Sequence, residues 1–129
     1  MPHLIIEFTA NLEQDGDLPG LLRKANEALI AQHGVFPIGG IRSRAVKLDT
    51  YRMADGAADY AFVHATLKMG AGRDEATKTR VGDALFAVIK QHFAALYDKR
   101  YLALSLELNE FSEAGTWKHN NVHARFKKG

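Results

Sequence analysis

The chain has 129 residues, 47% hydrophobic and 25% charged, with a formal net charge of +2. Those values fit one compact domain with a modest core, and they exclude the dense positive stripe of a nucleic-acid binder. The absence of cysteine excludes disulfides, cysteine-ligated zinc and thiol catalysis. No apolar run approaches the ~20 residues that span a bilayer. The start of the chain also lacks the basic-then-apolar pattern of a signal peptide, so a cytoplasmic location is expected.

Pro2 follows the initiator methionine and heads the apolar run Leu4-Ile5-Ile6. Methionine before a small residue is usually removed, which would leave a free prolyl nitrogen at the head of a strand. Burial lowers the pKa of such an amine, and one that is partly neutral near pH 7 can act as a general base. The alternative is a proline that merely starts a strand.

Alternation predicts that strand over about Pro2 to Thr9, with Pro2, Leu4, Ile6 and Phe8 on one face. Asp15-Gly16-Asp17 is a turn, and Asp17 caps a helix with Pro19 in its first turn. Leu18, Leu21, Leu22, Ala25 and Leu29 form its apolar stripe, and Gly34 fits its end. The loop Val35-Phe-Pro-Ile-Gly-Gly40 leads into a strand over about Ile41 to Tyr51. Ala54-Asp-Gly56 turns the chain into a third strand, about Tyr60 to Leu67, which Gly70-Ala-Gly72 breaks. A second helix starts near Asp74, with Val81, Leu85, Val88, His92 and Leu96 as its stripe. A fourth strand runs from about Tyr101 to Leu108, and the tail reads as loop with a short strand around Val122 to Phe126. The cluster Arg125 to Lys128 reads as a solvated terminus.

The order is β-α-β twice. Gln91-His92 follows Gln32-His33 by 59 residues, and the same spacing sets Leu22 on Val81, Ile30 on Ile89 and Pro2 on Ala61. The chain is therefore read as a single α+β domain with repeat units over about residues 2–58 and 59–109, and a tail over 110–129. Crossovers make the strands of each unit parallel and set both helices on one face of a four-stranded sheet. The other face is left bare, and apolar residues on it would imply partner subunits. Ala61 is internal, so an amine catalyst could occur only once per chain.

A proline-headed, duplicated β-α-β unit resembles the tautomerase superfamily. Within it, Leu18-Pro-Gly-Leu21, Phe36-Pro-Ile-Gly-Gly-Ile-Arg-Ser-Arg44, Met53-Ala-Asp-Gly56, Asp59-Tyr-Ala-Phe-Val-His64, Gly70-Ala-Gly-Arg73, Arg100-Tyr-Leu-Ala-Leu-Ser105 and Asn120-Asn-Val-His-Ala124 are similar to the 5-carboxymethyl-2-hydroxymuconate delta-isomerases. The resemblance implies a homotrimer that needs no metal or organic cofactor and acts in homoprotocatechuate breakdown. It implies a conjugated dienol substrate with three carboxylates, and Pro2 as the base that takes the enol proton and returns it to carbon. Arg42 and Arg73 match the family's carboxylate-binding arginines. Both follow glycine segments, and Arg73 lies at a helix start, which favours anions. Arg44 is a weaker candidate on the same face as Arg42. A related tautomerase acting on another unsaturated 2-hydroxy acid, or a non-catalytic trimeric binding protein, remain the alternatives.

Other features carry less. His119 and His123 are four apart but lack the third protein ligand of a catalytic zinc. His64 reads as a hydrogen-bonded structural residue, and Glu7 faces away from Pro2. Gly70-Ala-Gly-Arg73 lacks the lysine and spacing of a phosphate loop. Phe36 is either a pocket wall or core.

Overall fold

The computed structural model describes residues 1–127; Lys128, the end of the basic cluster, lies outside the described residues. Four strands, β1 (His3–Thr9), β2 (Arg42–Leu48), β3 (Tyr60–Gly70) and β4 (Tyr101–Phe111), form one sheet in the order β2-β1-β3-β4. β1 pairs with β2 and β3 with β4 in parallel, while β1 and β3 run antiparallel at the centre. Helices α1 (Leu18–Ile30), α2 (Glu75–His92) and the single turn α3 (Ala94–Tyr97) complete the architecture. This is the expected tandem β-α-β arrangement. No helix among the described residues is long and apolar enough to cross a membrane.

Side-chain alternation decides which sheet face is covered. Leu4, Ile6 and Phe8 of β1 and Ala61, Val63, Ala65, Leu67 and Met69 of β3 are buried. They pack against Leu21, Ala25 and Leu29 of α1 and Val81, Leu85 and Ile89 of α2. Asp17 caps α1 from a left-handed conformation (φ 44°), its carboxylate accepting from the Gly20 amide at 3.2 Å. Asp74 caps α2, accepting from the Thr77 amide at 2.8 Å. Each cap satisfies one of the orphan donors of a helix start.

The repeat is imperfect in register. The buried helical positions Leu21, Ala25 and Leu29 correspond to Val81, Leu85 and Ile89, one residue out of step with the 59-residue spacing read from sequence. Leu22, aligned with Val81 by that spacing, is only half-buried, and Ile30 is exposed. The starts of β2 and β4, Arg42 and Tyr101, keep the 59-residue spacing, whereas β1 and β3 start at His3 and Tyr60, 57 residues apart. The second helix also stops earlier than its stripe suggests. Fully buried Phe93 leaves helical geometry (φ −98°, ψ 9°), and α3 resumes after it. β3 and β4 run on to Gly70 and Phe111, so the glycine pair ends β3 later than expected.

The uncovered face is mixed, with more polar side chains than apolar ones on β1. It carries half-exposed His3, Ile5 and Glu7 from β1, with His64 in register with Glu7. His64 bridges two side chains of β4: its Nδ1 lies 2.6 Å from Ser105 Oγ and its Nε2 lies 2.7 Å from Glu107 Oε1. Arg44 donates to His3 Nδ1 at 3.2 Å. This face is a polar, hydrogen-bonded lattice around a few apolar side chains.

Opposite ends of the sheet differ in character. At one end, buried Thr9 donates to Asn11 and accepts from the Phe62 amide. Asn11 in turn donates to Asp59 and to the Tyr60 carbonyl, and Arg100 donates to the Asn11 carbonyl and to Asp59. This buckle ties the end of β1 to the starts of β3 and β4. The amino terminus, the start of β2 and the ends of β3 and β4 gather at the other end.

Truncating Leu85, fully buried between α2 and the sheet, is expected to cost about 2–5 kcal/mol, against about 1 kcal/mol for Asp74→Ala at the cap. Urea unfolding at fixed protein concentration measures both. His3 generates a pH prediction. Burial, followed by Arg44, Arg42, the amino terminus and Lys68, holds its imidazole below the ordinary value. The folded state then binds fewer protons than the unfolded chain between the lowered value and the ordinary one. Stability falls as pH drops through that window. His3→Gln is expected to lose less stability than the wild type between about pH 7.5 and about pH 5, read from urea midpoints.

Candidate active site

Pro2 is buried at the head of a central strand, and its carbonyl accepts from the Arg42 amide at 3.1 Å. Proline has no amide to donate, so this first position is one a central strand can give it. Met1 extends beyond it against the turn Ile38–Gly40. A Cβ on Gly40 would lie 3.2 Å from Met1 Cγ, and one on Gly39 would lie 2.9 Å from the His123 amide nitrogen. The glycine pair thus lets three backbone segments meet. The tail closes this side: Asn120 donates to the Gly39 carbonyl at 2.8 Å.

Arg73 reaches the same end from the helix side. Its two terminal nitrogens donate to the carbonyls of Gly70 (2.9 Å) and Val35 (2.8 Å). Its guanidinium lies 5.0 Å from the centre of the Phe36 ring. Phe36 is 6% exposed, so it is core and platform at once. The helix start beside Arg73 is partly taken by its own cap. Arg73 precedes the first turn, and the Asp74 carboxylate already occupies that helix end. Arg42 approaches from the uncovered sheet face. Its side chain is exposed and has no hydrogen-bond or ion-pair partner among the described residues. Arg44 shares that face but is engaged with His3.

These groups converge electrostatically on the chain terminus. Burial, then Lys118, Arg73 and Arg42, hold the Met1 α-amino group below its ordinary value, while Glu113 pulls the other way. The described amine belongs to Met1; its removal would put the amine at Pro2, one residue further into the same surroundings. Both arginines singled out from the sequence therefore lie near the expected amine.

Lys118 and Glu113 were not legible in the sequence. Lys118 Nζ and Glu113 Oε2 are 2.7 Å apart, and the Glu113 side chain sits where a Cβ on Gly70 would lie. Both belong to the tail, which corrects the reading of its end. Val122–Phe126 is a 3₁₀ turn packed on the Ile38–Gly40 turn, where a short strand was expected. His119 precedes that turn and shares no helical face with His123. His64 stands in the sheet bridge described above, and Glu7 lies on the uncovered face, away from Pro2.

A cleft of about 450 Å³ lies behind the glycine turn, lined in part by Phe36, Ile38, His123 and Phe126. Two larger clefts, of about 590 and 520 Å³, run between α2 and the open edge of β4. Neither contains any of the convergent groups. Size alone would select the open β4 edge instead of the surroundings of the terminal amine.

Whole-chain comparisons identify the family. Residues 2–126 match the family model for 5-carboxymethyl-2-hydroxymuconate isomerase. A curated 5-carboxymethyl-2-hydroxymuconate Delta-isomerase of Escherichia coli is 52% identical over 98% of this chain and 100% of its own length. A solved 5-carboxymethyl-2-hydroxymuconate isomerase from Deinococcus radiodurans R1 superposes with a TM-score of 0.94 at 53% identity, covering 98% of this chain and 95% of its own. A second solved structure, a 5-carboxymethyl-2-hydroxymuconate delta-isomerase, gives 0.93 at 32% identity, covering 100% of this chain and 95% of its own. A more distant structure, described as a fused 4-OT symmetric trimer, shares the fold at 15% identity and a TM-score of 0.65, covering 91% of this chain and 93% of its own. With the match running nearly end to end and the proline-headed repeat intact, this chain belongs to the 5-carboxymethyl-2-hydroxymuconate isomerase family.

Proposed function

We propose that this protein converts 5-carboxymethyl-2-hydroxymuconate to its keto isomer, using Pro2, freed by loss of Met1, as the proton carrier. The observation that carries the proposal is the convergence of Lys118, Arg73 and Arg42 on a partly buried terminal amine. The substrate is a dienol bearing three carboxylates. The neutral prolyl nitrogen accepts the enol proton. As the O–H bond breaks, the oxygen becomes a carbonyl, the double bonds shift along the chain, and a carbon takes the proton back from the prolyl ammonium. One proton moves and no net electrons are exchanged, so the step asks for positioning and a base of suitable pKa.

Cations near the amine serve both needs. They disfavour its protonated form, and they attract the polyanion whose proton it must take. Arg42 is the freer of the two arginines, with its donors unclaimed within the described chain. Arg73 is pinned by two carbonyls and an aromatic face, so it presents a fixed charge and its remaining donors. Both are assigned to substrate carboxylates.

The same reading takes the chain as one domain of two repeats whose tail covers the site, working in the cytoplasm as a homotrimer. Ile5 and Phe62 on the uncovered sheet face, and the unpaired edges of β2 and β4, supply surface for subunit contact. Light scattering is expected to report a trimer; a stable monomer at micromolar concentration would contradict it.

Mass spectrometry of the purified protein is expected to show Met1 absent. Pro2→Ala, which leaves a primary amine in place, is expected to lower turnover at least roughly tenfold, below the ~10²-fold typical of outright loss of a base. Wild-type turnover in protein that retains Met1 would sink the amine mechanism. Arg42→Ala and Arg73→Ala should each reduce kcat/KM by about ten- to over a hundredfold, the equivalent of ~1.5–3 kcal/mol. Arg23→Ala, which breaks only an exposed pair with Glu27 on α1, is the control and should leave kcat/KM unchanged. Ultraviolet assays with the tricarboxylate dienol and with dicarboxylate 2-hydroxymuconate decide between this substrate and a smaller relative.

A further inference from the structure

We propose that Lys118, carried by the C-terminal tail, is the third substrate-binding cation and reads the carboxymethyl carboxylate. This rests on the isomerase reading above.

Arithmetic of charge raises the question first. The substrate brings three carboxylates, and Arg42 and Arg73 account for two. The tail supplies a further cation at the same end of the sheet, and its placement is built from both sides. Upstream, the Phe111 carbonyl accepts from the Ala71 amide at 3.0 Å, and Glu113 packs over Gly70. Those contacts join the tail to the segment that carries Arg73. Downstream, Asn120 donates to the Gly39 carbonyl, and His123 packs on Gly39 and Gly40. Those contacts join it to the turn that precedes Arg42. Lys118 lies between the two anchorages in the chain, and its ion pair with Glu113, which sits over Gly70, holds it at this end of the sheet.

Its resting partner is Glu113, 2.7 Å away. A lone carboxylate at the mouth of an anion site would repel the substrate. Lys118 neutralises it, and an ammonium has three donors, so one can stay on Glu113 while another meets the ligand. Lys118 also stands ahead of both arginines among the cations that lower the proton affinity of the terminal amine. The amine is faced by Lys118, Arg73 and Arg42 as cations and by Glu113 as the opposing carboxylate. The pair lets the site hold an acid residue without losing its positive field. A dicarboxylate that lacks the carboxymethyl arm would leave Lys118 without a ligand. Selectivity for the longer substrate would therefore reside in the tail.

The experiment compares steady-state kinetics on 5-carboxymethyl-2-hydroxymuconate and on 2-hydroxymuconate for the wild type, Lys118→Met, Lys118→Arg and the double variant Glu113→Gln/Lys118→Met. Lys118→Met should raise KM for the tricarboxylate by about ten- to a hundredfold, the loss of one charge-assisted hydrogen bond. Its KM for the dicarboxylate should change less, by under about threefold, because that substrate loses only part of the positive field and no hydrogen bond. Lys118→Arg should recover most of the tricarboxylate affinity. The double variant decides between direct binding and mere neutralisation of Glu113. If Lys118 holds the ligand, the double variant keeps the high KM. Recovery of wild-type KM in the double variant, or an equal loss on both substrates, would overturn the assignment. An inactive wild type on the tricarboxylate would bring down the isomerase reading and this one with it. An active wild type with an unaffected Lys118→Met would bring down only the role of Lys118.

Discussion

The architecture depends on placing a chain terminus at the centre of a sheet. β1 is flanked by β2 and β3, so its first residue is held on both sides by strands that are themselves fixed. A terminus normally frays. Here the Pro2 carbonyl is bonded to Arg42 and the ring is buried. Proline satisfies this position because it adds rigidity and brings no amide that would need a partner. The turn, the arginines and the tail are arranged around that fixed point.

Burial and positive charge act in the same direction on an amine and in opposite directions on an anion. Desolvation disfavours a charged ligand, whereas neighbouring cations favour it. In the proposed site Arg42 is left exposed while Arg73 is braced against Phe36 and two carbonyls. A braced cation loses little conformational entropy when a ligand arrives. A free one can adapt to it. The two arginines therefore differ in kind, although the sequence shows both as an arginine after glycines.

Regular elements were legible because their patterns are local. Alternation in β1 and the stripes of α1 and α2 follow from burying one face of each, and Asp17 and Asp74 mark helix starts by capping chemistry. The tail was not legible. Its docking is set by what Gly39, Gly40 and Gly70 lack, and a missing Cβ leaves no periodic signal. Lys118 stands alone in an aperiodic polar segment, which usually means a solvated lysine. The uncovered face was legible only in part. His3, Glu7 and His64 could be placed on it by counting, but their cross-strand partners Arg44, Ser105 and Glu107 become visible only with the register. The helix offset differs because Gln32-His33, on which the spacing was fixed, lie beyond the end of α1, whereas Gln91-His92 lie inside α2.

The Thr9–Asn11–Asp59–Arg100 buckle lies at the end of the sheet remote from the amine. The strands act as a spacer, roughly the length of β1, between the part of the molecule that fastens the two repeats and the part to which we assign the chemistry. Substitutions at the two ends have few shared neighbours, and distant sites combine their effects almost independently. Such a layout is suited to adaptation. If the turn and the tail bind substrate as proposed, the lineage can retune its preference there while the fastening at the far pole stays constant, and it can harden the fold at that pole without stiffening the opposite end.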